Sequence, residues 1–148
     1  MSGPLSLSLD TSVIVRLLTQ EPAALFQVAA QFIEQQIMAG VSVFISDLVL
    51  AETYFALQSF YHFPKADALT AIAALAQTKG LSVSPAALAV LSVPNLATAK
   101  PGFVDRLIHS WSLTGGHTLV TFEKAGKKLP ATVVLGLSRQ GRPTGHWK

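Results

Sequence analysis

Leu5-Ser-Leu-Ser-Leu-Asp-Thr-Ser-Val-Ile-Val-Arg16 changes its period in the middle. Leu5, Leu7 and Leu9 alternate with serine, the two-residue period of a strand with one buried face. Asp10, Thr11 and Ser12 are helix-capping residue types, and Val13 to Thr19 continues as a helix. A strand that hands over to a helix across an acid is the opening of an alternating β/α chain. The pattern recurs downstream. Pro22 suits the first turn of a second helix, running to about Ala39 and stopped by Gly40. Val41–Ile45 is β-branched and aromatic. Ser46-Asp47 caps a third helix through about Tyr61, which His62-Phe-Pro64 breaks. Lys65–Lys79 is an Ala-rich helix ending at Gly80. Leu81-Ser-Val83 reads as a short strand and Pro85–Leu91 as a helix. Residues 93–102 read as a loop, Val104–Leu113 as a helix closed by Gly115-Gly116, and His117–Phe122 as a strand. Glu123–Lys128 reads as a helical turn and Thr132–Leu135 as the last strand. Residues 1–137 are thus expected to form a single domain. Residues 138–148, basic and containing Gly and Pro, are expected to be a flexible tail. Alternating strands and helices predict an α/β fold: a three-layer α/β/α sandwich with a mainly parallel central sheet. Ligands of such folds gather outside the carboxyl ends of the strands.

A chain of 148 residues can bury a full core, and with 13% charged residues it is globular. The mean hydropathy of +0.45 raises the question of a membrane. The longest charge-free run examined, Gly80 to Ala99, contains Pro85, Pro94 and Asn95, so no spanning helix and no membrane contact is expected. The start, Met-Ser-Gly-Pro, has no basic or long apolar run, so no signal peptide is expected. Cysteine is absent, which excludes disulfides, thiolate catalysis and Cys-type zinc sites and agrees with a cytoplasmic location.

Acidic residues are scarce, eight in all, and four of them border the most apolar segments. Asp10 follows the first strand. Glu52 lies inside Leu48-Val-Leu-Ala-Glu-Thr-Tyr-Phe-Ala-Leu57, with Leu48, Val49, Phe55 and Ala56 as its helical neighbours, so its face is expected to be buried. Asp105 opens the apolar helix Asp-Arg-Leu-Ile-His-Ser-Trp111. Glu123 ends Thr118-Leu-Val-Thr-Phe-Glu123. Capping or first-turn placement is a local alternative for Asp10, Asp105 and Glu123, and Asp47 is read as a cap only. Buried carboxylates that converge repel one another, and a hard divalent cation with oxygen ligands, Mg²⁺ or Mn²⁺, relieves the repulsion. Asp10 and Glu123 each follow a strand and are expected at one crevice. Charge is uneven: residues 1–99 carry three basic side chains and six acidic ones, whereas residues 100–148 carry eight basic ones and two acids, Asp105 and Glu123. Acids set in a basic third suggest a polyanionic substrate beside a metal.

Four segments in order resemble the motifs of PIN domains, specifically the small VapC-type toxins. Leu9-Asp-Thr-Ser-Val-Ile-Val-Arg16 resembles the first acidic motif and Ile45-Ser-Asp-Leu-Val-Leu-Ala-Glu-Thr53 the second. Phe103-Val-Asp-Arg-Leu-Ile108 resembles the third, and Leu119-Val-Thr-Phe-Glu-Lys-Ala125 with Lys128-Leu-Pro130 the fourth. The resemblance covers residues 5–137. Two positions depart from the pattern: Glu123 stands where aspartate is usual, and Ser12 where asparagine is frequent. The resemblance implies a Mg²⁺- or Mn²⁺-dependent endoribonuclease with Asp10, Glu52, Asp105 and Glu123 as metal ligands and catalytic acids. It also implies the toxin of a toxin–antitoxin pair, held by a small antitoxin protein, and a homodimer. Ser12 and Thr121 are candidate supporting donors, and Arg16, Arg106 and Lys124 candidate phosphate contacts. Ala66–Ala76 with Phe55, Phe60, Tyr61 and Phe63 is a candidate partner surface, or else core.

A catalytically impaired module of the same fold that binds RNA or a partner is the main alternative. A phosphoryl-transfer enzyme using Asp10 as nucleophile would want a second aspartate where Ser12 stands. No Gly-x-Ser-x-Gly elbow and no Gly-rich phosphate loop is present. The histidines lack metal-ligand spacing. His109, four residues after Asp105, is expected to bond to it, and Trp111 to lie in the core. Trp147 falls in the tail.

Overall fold

The structure, a computed structural model, describes residues 6–146. Strands and helices alternate as the sequence predicts, and the fold is α/β with a parallel sheet and six α-helices among those residues. By its internal contacts the chain divides into two compact units, one ending at Leu91 and the other beginning at Ser92. The sequence marks no boundary there.

The first unit holds β1 (Ser6–Ser8), α1 (Thr11–Thr19), α2 (Ala23–Met38), β2 (Ser42–Phe44), α3 (Asp47–Ser59), α4 (Lys65–Ala76), β3 (Leu81–Ser82) and α5 (Pro85–Leu91). β2 is the middle strand, parallel to β1 and to β3, with Leu7 opposite Val43 and Val43 opposite Leu81. Parallel neighbours need crossovers, and the helices between them supply these. Leu9 extends the ladder by donating to the Phe44 carbonyl at 3.0 Å. The core gathers Ile14, Val43, Ile45, Leu50, Leu57 and Ile72, all nearly or fully buried. Each such side chain stabilises by about 1.5–3 kcal/mol relative to exposure. Gly80, at φ +92°, ends the α4 segment where a Cβ would stand 2.6–2.9 Å from the Ile37 side chain, so glycine is required twice over.

The second unit holds α6 (Phe103–Thr114), β4 (Leu119–Thr121), a 3-10 turn (Lys124–Lys128), β5 (Thr132–Leu137) and β6 (Pro143–His146). β5 pairs parallel with β4 and antiparallel with β6. Phe103, Leu107, Val133 and Val134 are buried. The described strands therefore pair as two three-stranded sheets, one per unit, where the sequence suggested one central sheet.

Residues 138–146, read from the sequence as the start of a tail, make a reverse turn and β6. The Ser138 amide donates to the Arg142 carbonyl at 2.7 Å, and the Arg142 amide to Ser138 Oγ. Gly145 lets the strand approach β5, since a Cβ there would meet Leu135 at 3.2 Å. Trp147 lies outside the described residues. No helix of the described residues is long and apolar enough to cross a membrane.

Candidate active site

In the first unit Asp10 stands two residues beyond β1, in extended conformation. Its carbonyl accepts from the Val13 and Ile14 amides and starts α1. Its carboxylate makes no cap bond to the helix. Instead Oδ2 accepts from the Ser12 hydroxyl at 3.1 Å, so Ser12 orients the acid at an exposed position. Glu52 corrects an expectation. It is exposed, because the buried stripe of α3 is Asp47, Leu50, Thr53, Tyr54 and Leu57. Its apolar neighbours Leu48 and Phe55 face outward with it, 82% and 54% exposed. Apolar residues around an acid do not bury it when the whole face is turned away from the core.

Asp47 is the buried acid of α3. Ser46 is the N-cap, accepting from the Val49 amide at 3.2 Å. Asp47, 6% exposed, accepts from the Ser84 hydroxyl at 2.6 Å, and Ser84 Oγ accepts from the Ala87 amide. The reading of Asp47 as a cap is therefore wrong, because Ser46 fills that position and leaves the Asp47 side chain free to turn inward.

In the second unit Asp105 lies in the first turn of α6, whose N-cap is Gly102. Glu123 stands two residues beyond β4, as Asp10 does beyond β1. Its Oε1 accepts from the Ala125 amide at 3.1 Å and caps the 3-10 turn. Its own amide donates to Thr121 Oγ1 at 3.0 Å. Asp105, Thr121 and Glu123 line one cavity of about 240 Å³, walled by Ile108, Leu119 and Leu129. Gly126 also lines it. A Cβ at that position would lie 3.0 Å from Thr121 Cγ2 and 3.3 Å from Thr132 Cγ2, so the turn carrying Glu123 sits close against β4 and β5 only because residue 126 has no side chain. The sequence gives little sign of this role for Gly126.

All four acids are exposed. Mutual repulsion in a buried pocket therefore does not by itself demand a cation, since water solvates exposed carboxylates. Among the described residues no group of three or more His, Cys, Asp and Glu could hold a metal ion. The donor chemistry still fits a hard dication. Mg²⁺ keeps several waters and is held by one or two carboxylates plus substrate phosphate, and the cavity of the second unit offers two carboxylates and a hydroxyl.

The basic candidates divide. Arg16 lies in the last turn of α1, at the opposite end from Asp10, and donates to Tyr61 Oη at 2.9 Å and to the Glu21 carbonyl. It ties helix ends together. Arg106 donates through Nε to the Pro101 carbonyl at 2.7 Å. Lys124 is exposed beside Glu123, with Lys127 and Lys128 exposed in the same turn. His109 is buried and donates to the Pro130 carbonyl at 2.7 Å rather than to Asp105, which faces the other way. Trp111, expected in the core, is 66% exposed, since α6 buries Phe103, Leu107 and His109 on its other side.

The family model of the PIN domain matches residues 7–131, a span that contains all four acids. No curated protein and no solved structure gives a significant match.

Proposed function

The chain belongs to the PIN domain family, and on that premise we propose that it is a metal-dependent endoribonuclease that hydrolyses RNA phosphodiester bonds. PIN domains are typically nucleases and typically use divalent metals. The observation that carries the reading is the cavity at the carboxyl end of β4, where Asp105, Thr121 and Glu123 meet. Mg²⁺ or Mn²⁺ would be held by Asp10, Glu52, Asp105 and Glu123, and when bound it would polarise the scissile phosphate and lower the pKa of an attacking water. The chain's own groups do the rest. Glu123 has one oxygen committed to the Ala125 amide, which fixes the side chain and leaves the other oxygen to orient water. Thr121 accepts from the Glu123 amide and keeps its hydroxyl proton to donate toward a phosphate oxygen. Ser12 holds Asp10. Lys124, Lys127 and Lys128 supply positive charge for the RNA backbone. The test is cleavage of RNA with added Mn²⁺ or Mg²⁺ and its loss on chelation. Equal cleavage with and without chelator removes the metal from the account.

The finer reading is a VapC-type toxin held inactive by a small antitoxin protein, acting in the cytoplasm. Its support is the order of the four motifs and the exposure of the acids, which leaves them open to a partner's cationic side chain. Expression of the chain alone should arrest growth of a host cell, and co-expression of the short neighbouring reading frame should restore it. Normal growth with the chain alone, expressed and folded, counts against a toxin.

One observation favours a second reading, a catalytically impaired module that binds RNA or a partner. No three candidate ligands group together among the described residues, and Glu123 replaces the usual aspartate while serving as a cap. A melting temperature that does not respond to Mn²⁺ would favour this module.

A further inference from the structure

Two buried side-chain polar atoms lack a hydrogen-bond partner among the described residues: Thr11 Oγ1 and Thr53 Oγ1. Both lie in the first unit. Thr11 opens α1 directly after Asp10, and Thr53 lies inside α3 directly after Glu52. Thr11 is 9% exposed and Thr53 0%. The two helices pack against each other.

A helical threonine has a ready escape from an unpaired hydroxyl, which is donation to the carbonyl four residues back. Thr19 uses it toward Val15, Thr70 toward Ala66 and Thr78 toward Ala74, at 2.8, 2.9 and 3.0 Å. Thr53 has the Val49 carbonyl at the same spacing, yet makes no such bond. Valine would fill the same volume, suits a helix equally well, and carries no hydroxyl to desolvate. Packing therefore does not account for the hydroxyl at either position. Local rules of this kind tend to fail where a site needs the exception, and both exceptions immediately follow an acid of the proposed site.

We propose that Thr11 and Thr53 are positioning residues whose hydroxyls take up hydrogen bonds when a hydrated divalent cation binds at Asp10 and Glu52, so that cation binding and the docking of α1 on α3 are coupled. The inference rests on the metal-dependent reading above. The ordered waters of a hard dication both donate and accept, which suits a hydroxyl. A ligand shifts a conformational equilibrium only by interacting differently with the two states. Pairing a hydroxyl that otherwise has no partner is such a difference.

The experiment is thermal unfolding of the full chain, metal-free and across a Mn²⁺ titration, for the parent, Thr11→Val, Thr53→Val, Thr53→Ser and Thr70→Val. Each valine at 11 or 53 should raise the metal-free melting temperature by about 2–4 °C, the shift expected when one unpaired hydroxyl is removed from a chain of this size. Each should also weaken the Mn²⁺ dissociation constant roughly tenfold. Thr53→Ser should restore the parent's Mn²⁺ response. Thr70→Val, at an exposed and back-bonded hydroxyl, should leave that response unchanged. Valine variants that melt lower without metal, or fail to fold, show an ordinary structural hydroxyl and overturn the proposal. So does full Mn²⁺ affinity in the valine variants of a parent that binds Mn²⁺, and in that case the metal reading stands. A parent that does not respond to Mn²⁺ removes the metal reading and this inference with it.

Discussion

At the head of α3 the Asp47 carboxylate accepts a 2.6 Å hydrogen bond from Ser84, and Ser84 accepts from the Ala87 amide at the start of α5. Two helix starts are thereby joined through one buried acid. Hydrogen bonds to a charged group contribute about 1.5–3 kcal/mol, so Asp47→Ala should destabilise by that amount in urea unfolding. A loss under about 0.5 kcal/mol, the range of an uninvolved surface change, would contradict the joint. Glu52, five positions on, shows the opposite case, an acid among apolar residues that is nonetheless exposed. Residue type and spacing identified both as unusual. They could not say which way α3 rolls, because its apolar residues nearly encircle it. His109 was misread for a related reason: a spacing of four puts it near Asp105 along α6, but the Pro130 carbonyl, distant in sequence, claims the ring.

Among the elements, helix ends were the most legible. Gly40, Gly80 and Ser46 act where their chemistry places them, since caps depend on local groups. Short strands were found but trimmed, as pairing partners decide where a ladder stops. β6 was missed because Pro143 and Gly145 argue against a strand until β5 is there to receive one. α2 poses a separate question. Of its sixteen residues only Ile33 is buried, while Leu25, Val28 and Phe32 are 48%, 67% and 50% exposed in a stripe spaced by three and four. Beside it runs an apolar groove of about 360 Å³ with Glu34 and Lys79 among its lining residues. A two-fold contact would set Glu34 of one protomer against Lys79 of its partner. We propose that this face, rather than the Ala66–Ala76 helix, whose Ala68, Leu69, Ile72 and Leu75 are core, forms a homodimer. Light scattering should give twice the chain mass, and Val28→Lys with Phe32→Glu should halve it. A parent that is monomeric at high concentration refutes the dimer.

Across the whole molecule, the alternation of strand and helix was readable because periods of two and 3.6 residues are set by the chain itself. The division near Leu91 was not, because residues 93–102 look like any surface loop. The site was readable in its membership and not in its surroundings. Motif order pointed to Asp10, Glu52, Asp105 and Glu123, whereas exposure of all four, the Gly126 contact and the unpaired threonines depend on packing. Function then rests on a chemical claim about the acids rather than on the fold, which many unrelated activities can share. The claim is tested most directly by Mn²⁺-dependent RNA cleavage by Asp105→Asn beside the parent, with folding of both verified by circular dichroism. Loss of one preorganised electrostatic group at a reacting phosphate should slow cleavage roughly 10²–10³-fold. A folded Asp105→Asn protein that cleaves as fast as the parent would contradict the account.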